Sequence, residues 1–186
     1  EGFDGASTDI GAKAWGKEGM GTEPHALILS YTAHMMENGI TGSPTAEATR
    51  GFDKHIDKRV PRVVLPDTFN QEIYDTIDTA QAVPSLKGTR IDTCGENYMQ
   101  FTDIIDRDNH APIDKDLLKI KDKLGKHRQG KGVKIHGVWT LRRELDWRGL
   151  GNLEITISSG FNAEKTRAFM IADALYQEKY GRPLFE

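Results

Sequence analysis

Short β-branched or apolar runs alternate with segments of helical periodicity along nearly the whole chain, and this alternation constrains the fold more than any other feature. The clearest strand is Leu153-Glu154-Ile155-Thr156-Ile157-Ser158, and after Gly160 the spacing predicts a helix over 163–180. Arg62-Val63-Val64-Leu65 leads into a Pro66-Asp67 turn, and a helix is predicted over 71–82 with Asn70 as its cap. Ile73, Ile77 and Ala80 fall on one stripe of that helix. Residues 88–92 predict a further strand, and 138–148 an amphipathic helix closed by Gly149. Nearer the start, helices are predicted over 7–15, ended by Gly16, over 26–37, stopped by Asn38-Gly39, and over 45–58. An extended segment over 20–25 separates the first two, and 41–44 reads as a loop. The order is roughly αβαβαβααβα, which predicts an α/β protein with a parallel sheet covered by helices. An open doubly wound sheet and a closed β/α barrel both fit it.

With 186 residues, the chain suits one domain over 1–186 around one sizeable core. Net charge is −3, which argues against partners chosen by bulk electrostatics, nucleic acid and membrane surfaces among them. No apolar run approaches the roughly 20 residues of a transmembrane helix, and no secretory signal pattern is visible, so the cytosol is the default compartment. One cysteine, Cys94, excludes an intrachain disulfide and a multi-cysteine zinc site. Neither end of the sequence has the loose, polar character of a natural terminus, for which processing or a sequence that is only part of a longer chain would each account.

Residues 106–134 stand apart as a basic, mobile insertion. From Lys115 to Lys134 the local charge is +6, leaving −9 for the remainder. No aromatic residue is interleaved there for base stacking, so a solvated face or a flexible cover for a polyphosphate is the better reading than nucleic-acid binding.

Polar residues collect just after predicted strands: Thr22 and His25, Asp67 and Thr68, Arg90 and Asp92, and Ser158 to Asn162. In either α/β architecture that edge is where ligands bind. Arg90 and Asp92 point to one face of their strand. Such a pair is ordinarily a structural bridge, but at a strand end it suits a ribose with an anionic neighbour: the arginine fork takes the anion and the carboxylate accepts sugar hydroxyls. Ser158-Ser159-Gly160-Phe161-Asn162 reads equally as a phosphate cradle or a plain capped turn. His25 on its own is ordinarily structural, and Cys94 is ordinarily a small residue packed at a strand end. The glycines Gly16, Gly19 and Gly21 precede an extended segment instead of following a strand, which is the wrong order for a dinucleotide fingerprint. Neither a phosphate-loop motif nor a His-x-x-x-His pair occurs.

Taken in order, several of these segments resemble the nicotinate phosphoribosyltransferase family, most closely its archaeal-type branch. The matching residues are Gly2-Phe3-Asp4 with Ser7, Gly21-Thr22-Glu23-Pro24-His25-Ala26-Leu27, Val64-Leu65-Pro66-Asp67-Thr68-Phe69 and Thr89-Arg90-Ile91-Asp92-Thr93. Leu141-Arg142-Arg143-Glu144-Leu145-Asp146-Trp147-Arg148-Gly149 and Ile157-Ser158-Ser159-Gly160-Phe161-Asn162 complete the set. The resemblance implies a type II phosphoribosyltransferase with an irregular, here incomplete, β/α barrel. Such enzymes join nicotinate to phosphoribosyl pyrophosphate, giving nicotinate mononucleotide and pyrophosphate for NAD synthesis, with Mg²⁺ on the pyrophosphate and often coupled ATP hydrolysis. It also implies roles. His25 would be phosphorylated in an ATP-coupled form, Arg90 would contact the nicotinate carboxylate or a phosphate, and Asp92 would hold the ribose hydroxyls. Ser159 and Gly160 would bind the 5′-phosphate, with Thr22, Asp67, Thr68 and Thr93 lining the same pocket. A homo-oligomer, dimer or higher, or a partner chain supplying missing parts is implied as well. A quinolinate or nicotinamide enzyme of the same fold, and a catalytically silent phosphoribosyl-binding or scaffold subunit, are the alternatives.

Overall fold

A computed structural model describes residue 6, residues 8–17, residue 19, residues 21–102 and residues 114–186. Gly2-Phe3-Asp4, Ser7 and Met20, together with 106–113 of the basic segment, lie outside the described residues.

Eight helices and three strands occur among the described residues. α1 (Asp9–Lys13) starts at Thr8, whose hydroxyl accepts the Gly11 N–H, and is followed by Gly16 at φ +68°. α2 (His25–Glu37) ends at Asn38 before Gly39. α3 (Pro44–His55) is capped by Ser43, with proline in its first turn where a missing N–H costs nothing. β1 (Arg62–Val64) then runs into a 3-10 turn, Pro66–Phe69, and α4 (Glu72–Ala82) returns to β2 (Leu86–Ile91). α5 (Lys115–Lys119), α6 (Lys121–Leu124) and α7 (Ile135–Trp147) connect to β3 (Glu154–Ile157), and α8 (Ala163–Tyr180) follows.

The sheet is parallel throughout, in the order β1-β2-β3. Gly88 sits opposite Glu154 at a close approach: a Cβ there would lie 2.6 Å from the Glu154 carbonyl oxygen, so only glycine lets β2 and β3 meet in this register. Parallel strands all end on one edge, which brings the segments after Val64, Ile91 and Ile157 side by side. The ladder continues one residue further, with Ser158 N–H donating to Ile91 O at 2.9 Å, so Ser158 stands level with Asp92.

The main core lies between this sheet and helices α4, α7 and α8. α7 contributes Ile135, Val138, Leu141 and Leu145, and α8 contributes Phe169, Ala172 and Tyr176. Burying a side chain of this size is worth about 1.5–3 kcal/mol, so this layer dominates the stability. A smaller cluster of Ile28, Ala48 and Leu65 joins α2 and α3 to the end of β1. Arg62, 3% exposed, ties α3 to β1: its guanidinium pairs with Asp53 at 2.8 Å and donates to the Asp53, Ile56, Asp57 and Val60 carbonyls.

Four expectations change. Residues 21–24 are extended but join no ladder, because the Glu23 side chain, not a strand partner, holds this segment, and Pro24 has no N–H to give. Asn70 does not cap α4. It takes a left-handed conformation (φ 54°) at the end of the 3-10 turn, and Gln100 Oε1 accepts the Ile73 and Tyr74 N–H groups instead. Over residues 114–134 the basic segment is anchored, since Leu117, Leu124 and Val133 are buried in the main core. The β/α units expected of an incomplete barrel are present as three parallel strands with helical crossovers; among the described residues they form an open sheet. No helix of the described residues is long and apolar enough to cross a membrane.

Candidate functional site

At the carboxyl edge of the sheet, Thr22, Arg90, Asp92 and Ser158 form one connected network. Arg90 Nε donates to Thr22 Oγ1 at 2.9 Å, and Nη1 reaches Ser158 Oγ and Asp92 Oδ2, each at 3.1 Å. Ser158 Oγ–H in turn donates to Asp92 Oδ1 at 2.7 Å. Three separate segments therefore converge on one guanidinium. Among the described residues no protein group takes Nη2, so one side of the arginine fork stays open to an anion. The Arg90 and Asp92 side chains are 23% and 27% exposed: sheltered, yet within reach of a ligand.

Beside this network His25 Nε2 lies 3.1 Å from Asp67 Oδ2. Asp67 sits in the 3-10 turn after β1, its side chain 6% exposed and its Oδ1 buried without a partner. With Nε2 engaged by a carboxylate, the tautomer this pairing favours leaves the lone pair on Nδ1. Thr68, next in the turn, is half-buried, and its hydroxyl has no partner either.

Glu23 fixes both halves. It is 1% exposed; Oε1 accepts Thr49 Oγ1–H at 2.8 Å and the Leu65 N–H at 3.1 Å, which clamps the 22–25 segment to α3 and to the end of β1. Among the described residues no cation compensates the burial, and desolvation pushes the carboxyl up to about 7 against the opposing hydrogen bonds from Thr49 and Leu65.

The loop after β3 carries two successive left-handed residues, Ser159 (φ 70°) and Gly160 (φ 63°), before Asn162 caps α8 by accepting the Lys165 N–H at 2.9 Å. Ser159 O accepts Lys165 Nζ–H at 2.7 Å.

Two expectations fail at this edge. Thr93 is 1% exposed, and its hydroxyl donates to Glu72 Oε1 at 2.7 Å, so it belongs to a buried network with Gln100 and not to the open pocket. Cys94 is exposed instead of packed, in a turn closed by Asn97 N–H to Cys94 O. Glu23 and Lys165 are the additions. Ser158 is readable as the first polar residue after the strand, level with Asp92 once the register is known. Nothing in the sequence marks Glu23 or Lys165, whose roles come from burial.

No protein-family model matches this chain, and no curated protein does. A solved structure does. The chain is similar to part of the nicotinate-nucleotide pyrophosphorylase from Pyrococcus furiosus. Sequence identity is 27% and the TM-score 0.55, over 89% of this chain and 31% of that one. The chain thus spans less than a third of that protein's length.

Proposed function

We propose that this chain carries the phosphoribosyl-binding part of a pyridine phosphoribosyltransferase, one that joins nicotinate to phosphoribosyl pyrophosphate to give nicotinate mononucleotide and pyrophosphate. The observation that carries the reading is the convergence of Thr22, Arg90, Asp92 and Ser158 at the carboxyl edge, with one side of the guanidinium open. Similarity to a nicotinate-nucleotide pyrophosphorylase supports it independently.

Loss of pyrophosphate builds positive charge on the anomeric carbon, and the Asp92 carboxylate is the group that would stabilise that charge and accept the ribose hydroxyls. Arg90 would hold the pyridine carboxylate or a phosphate through Nη2. The peptide N–H groups of the Ser159-Gly160 turn would take the 5′-phosphate, while Thr22, Asp67 and Thr68 line the pocket. Among the described residues one guanidinium, that of Arg90, joins this network, and one guanidinium suits one carboxylate, which favours nicotinate over quinolinate. Mg²⁺ carried on the pyrophosphate would neutralise the leaving group's charge. Among the described residues no three His, Cys, Asp or Glu side chains are grouped as a metal cage. An ion that keeps its waters and substrate oxygens needs only one or two carboxylates, and Asp92 and Asp67, with its orphaned Oδ1, fit that part. In an ATP-coupled form, Nδ1 of His25 would be the nitrogen phosphorylated, with Asp67 orienting the ring. A second copy or a partner chain would complete the pyridine side.

Calorimetry with phosphoribosyl pyrophosphate and Mg²⁺, followed by nicotinate, tests the reading. Binding with release of pyrophosphate is expected of a complete site, and binding without turnover of one completed by another chain. Arg90→Ala should weaken binding about 10-fold or more, the worth of a charge-assisted pair, and leave the fold intact. Binding by the variant equal to that of the wild type would refute the role given to Arg90, and no binding by the wild type would refute the reading itself.

A further inference from the structure

Lys165 belongs to the first turn of α8, yet its side chain folds back beneath the loop that precedes the helix. It is 7% exposed; its Nζ donates to Ser159 O at 2.7 Å and lies 4.2 Å from the centre of the Phe161 ring. Buried lysines are ordinarily paired with a carboxylate. Among the described residues Lys165 has none. Its charged neighbour is another cation, the half-buried Lys134, whose Nζ donates to Lys126 O at 2.9 Å. Glu164, the acid at this end of α8, is taken by Lys126 at 3.0 Å and by His127 at 3.3 Å. Around this helix end the titratable groups are therefore Lys134 from the segment before α7, Lys126 and His127 from the 3-10 turn Gly125–His127, and Glu164 of α8 itself. Burial, and then the Lys134 charge, push the Lys165 ammonium down to about 8.

Between the Phe161 and Phe169 rings, this cation gives its hydrogen bond to the Ser159 carbonyl. In a trans peptide the C=O and the following N–H point in opposite directions. With Ser159 O drawn down onto Lys165, the Gly160 N–H faces away, toward solvent, where Gly160 is exposed. The left-handed pair at 159 and 160 is a conformation that an L residue such as Ser159 rarely adopts unaided. A charge on the carbonyl side also polarises the peptide and makes its N–H a stronger donor.

We propose that Lys165 is a positioning residue that fixes the Ser159–Gly160 peptide plane so that the Gly160 amide is presented, polarised, to the phosphate of a phosphoribosyl ligand. This rests on the reading of the turn as the 5′-phosphate site.

The test is binding of ribose 5-phosphate and of inorganic phosphate to the full chain by NMR, following the Gly160 amide, with Lys165→Met and Lys165→Arg beside the wild type. Lys165→Met should weaken ribose 5-phosphate binding about 10-fold, and Lys165→Arg should restore most of it. Without ligand, the wild-type Gly160 amide shift should titrate with a midpoint near 8, following Lys165, and should be flat in Lys165→Arg, which stays charged. Wild-type affinity should fall as pH rises through that range, because ribose 5-phosphate is already a dianion there while the lysine loses its proton. Wild-type affinity matched by Lys165→Met, with no Gly160 titration near 8, would overturn the inference and leave the transferase reading standing. Lys165-dependent binding of inorganic phosphate with no preference for ribose 5-phosphate would support the cradle and overturn the transferase reading. Failure of both phosphates to bind would overturn both. Should Lys165→Met not fold, the wild-type Gly160 titration and the arginine variant decide.

Discussion

Replacing Glu23 with glutamine removes an ionisable group from the joint between the 22–25 segment, α3 and β1, while keeping the shape and the acceptor that Thr49 and Leu65 use. A carboxyl that titrates at 4.5 when unfolded and at about 7 when folded binds its proton more tightly in the folded chain. Stability is then greatest below 4.5, falls as pH rises through that interval, and is flat above it. At ~1.36 kcal/mol per pH unit the loss is about 3 kcal/mol, a large share of the 5–15 kcal/mol typical of a domain. Glutamine carries no such loss, but its amide places N–H groups where Oε2 is buried without a partner, costing about 1 kcal/mol. Glu23→Gln should therefore match the wild type to within about 0.5 kcal/mol at pH 5, where the wild type has already lost about 0.8 kcal/mol, and be the more stable at pH 8, by about 2 kcal/mol. Urea unfolding of both proteins at the two pH values measures this. Glu72 and Asp75, also raised by burial, are common to both proteins and cancel in the difference. Parallel pH profiles for the two proteins would refute the claim that Glu23 is the titrating group.

Three further substitutions test the frame around the site. Gln100→Ala removes the acceptor for the Ile73 and Tyr74 N–H groups at the start of α4 and should cost about 1 kcal/mol in thermal or chemical unfolding, the usual worth of a helix cap. Gly88→Ala sets a methyl 2.6 Å from the Glu154 carbonyl and should destabilise by about 1–3 kcal/mol, with lowered amide-exchange protection concentrated in β2 and β3. On the proposed ATP-coupled reading, His25→Ala should abolish stimulation by ATP and leave transfer without ATP; an ATP response that survived would refute the role given to His25.

Residue patterns foretold the strand–helix alternation because it rests on periodicity, which is local: the helix over 163–180 and the cap at Asn162 need no knowledge of the rest of the chain. Arg90, Asp92 and Ser158 could be nominated for a related reason: parallel strands put every strand end on one edge, so polar residues there must meet. Thr22 and His25 follow no strand; the buried Glu23 clamp, not strand order, holds their segment. What stayed hidden depends on distant contacts. Gln100 caps a helix that begins 28 residues earlier, and this displaces Asn70, whose sequence position alone looked sufficient. Thr93 follows the site motif directly, but the strand's alternation turns it inward onto Glu72. The basic segment looked mobile from its charge, yet three apolar residues spaced along it, Leu117, Leu124 and Val133, are enough to seat it in the core.

The buried acids explain why the edge keeps its arginine available. Glu23, Glu72 and Asp75 are all held by neutral donors: Thr49 with the Leu65 amide, Thr93 with the Gln100 amide, and Ser43 with Thr45. Each has its pKa raised by burial, and among the described residues none draws on a cation. Among the described residues Arg90 instead meets Asp92 and two hydroxyls. Charge at the edge is consequently set by Arg90 and Asp92, which a ligand can reach, and by Asp67, whose buried carboxylate pairs with His25. A dianionic sugar phosphate approaching them meets a cation with a free face and carboxylates already committed to Ser158 and His25.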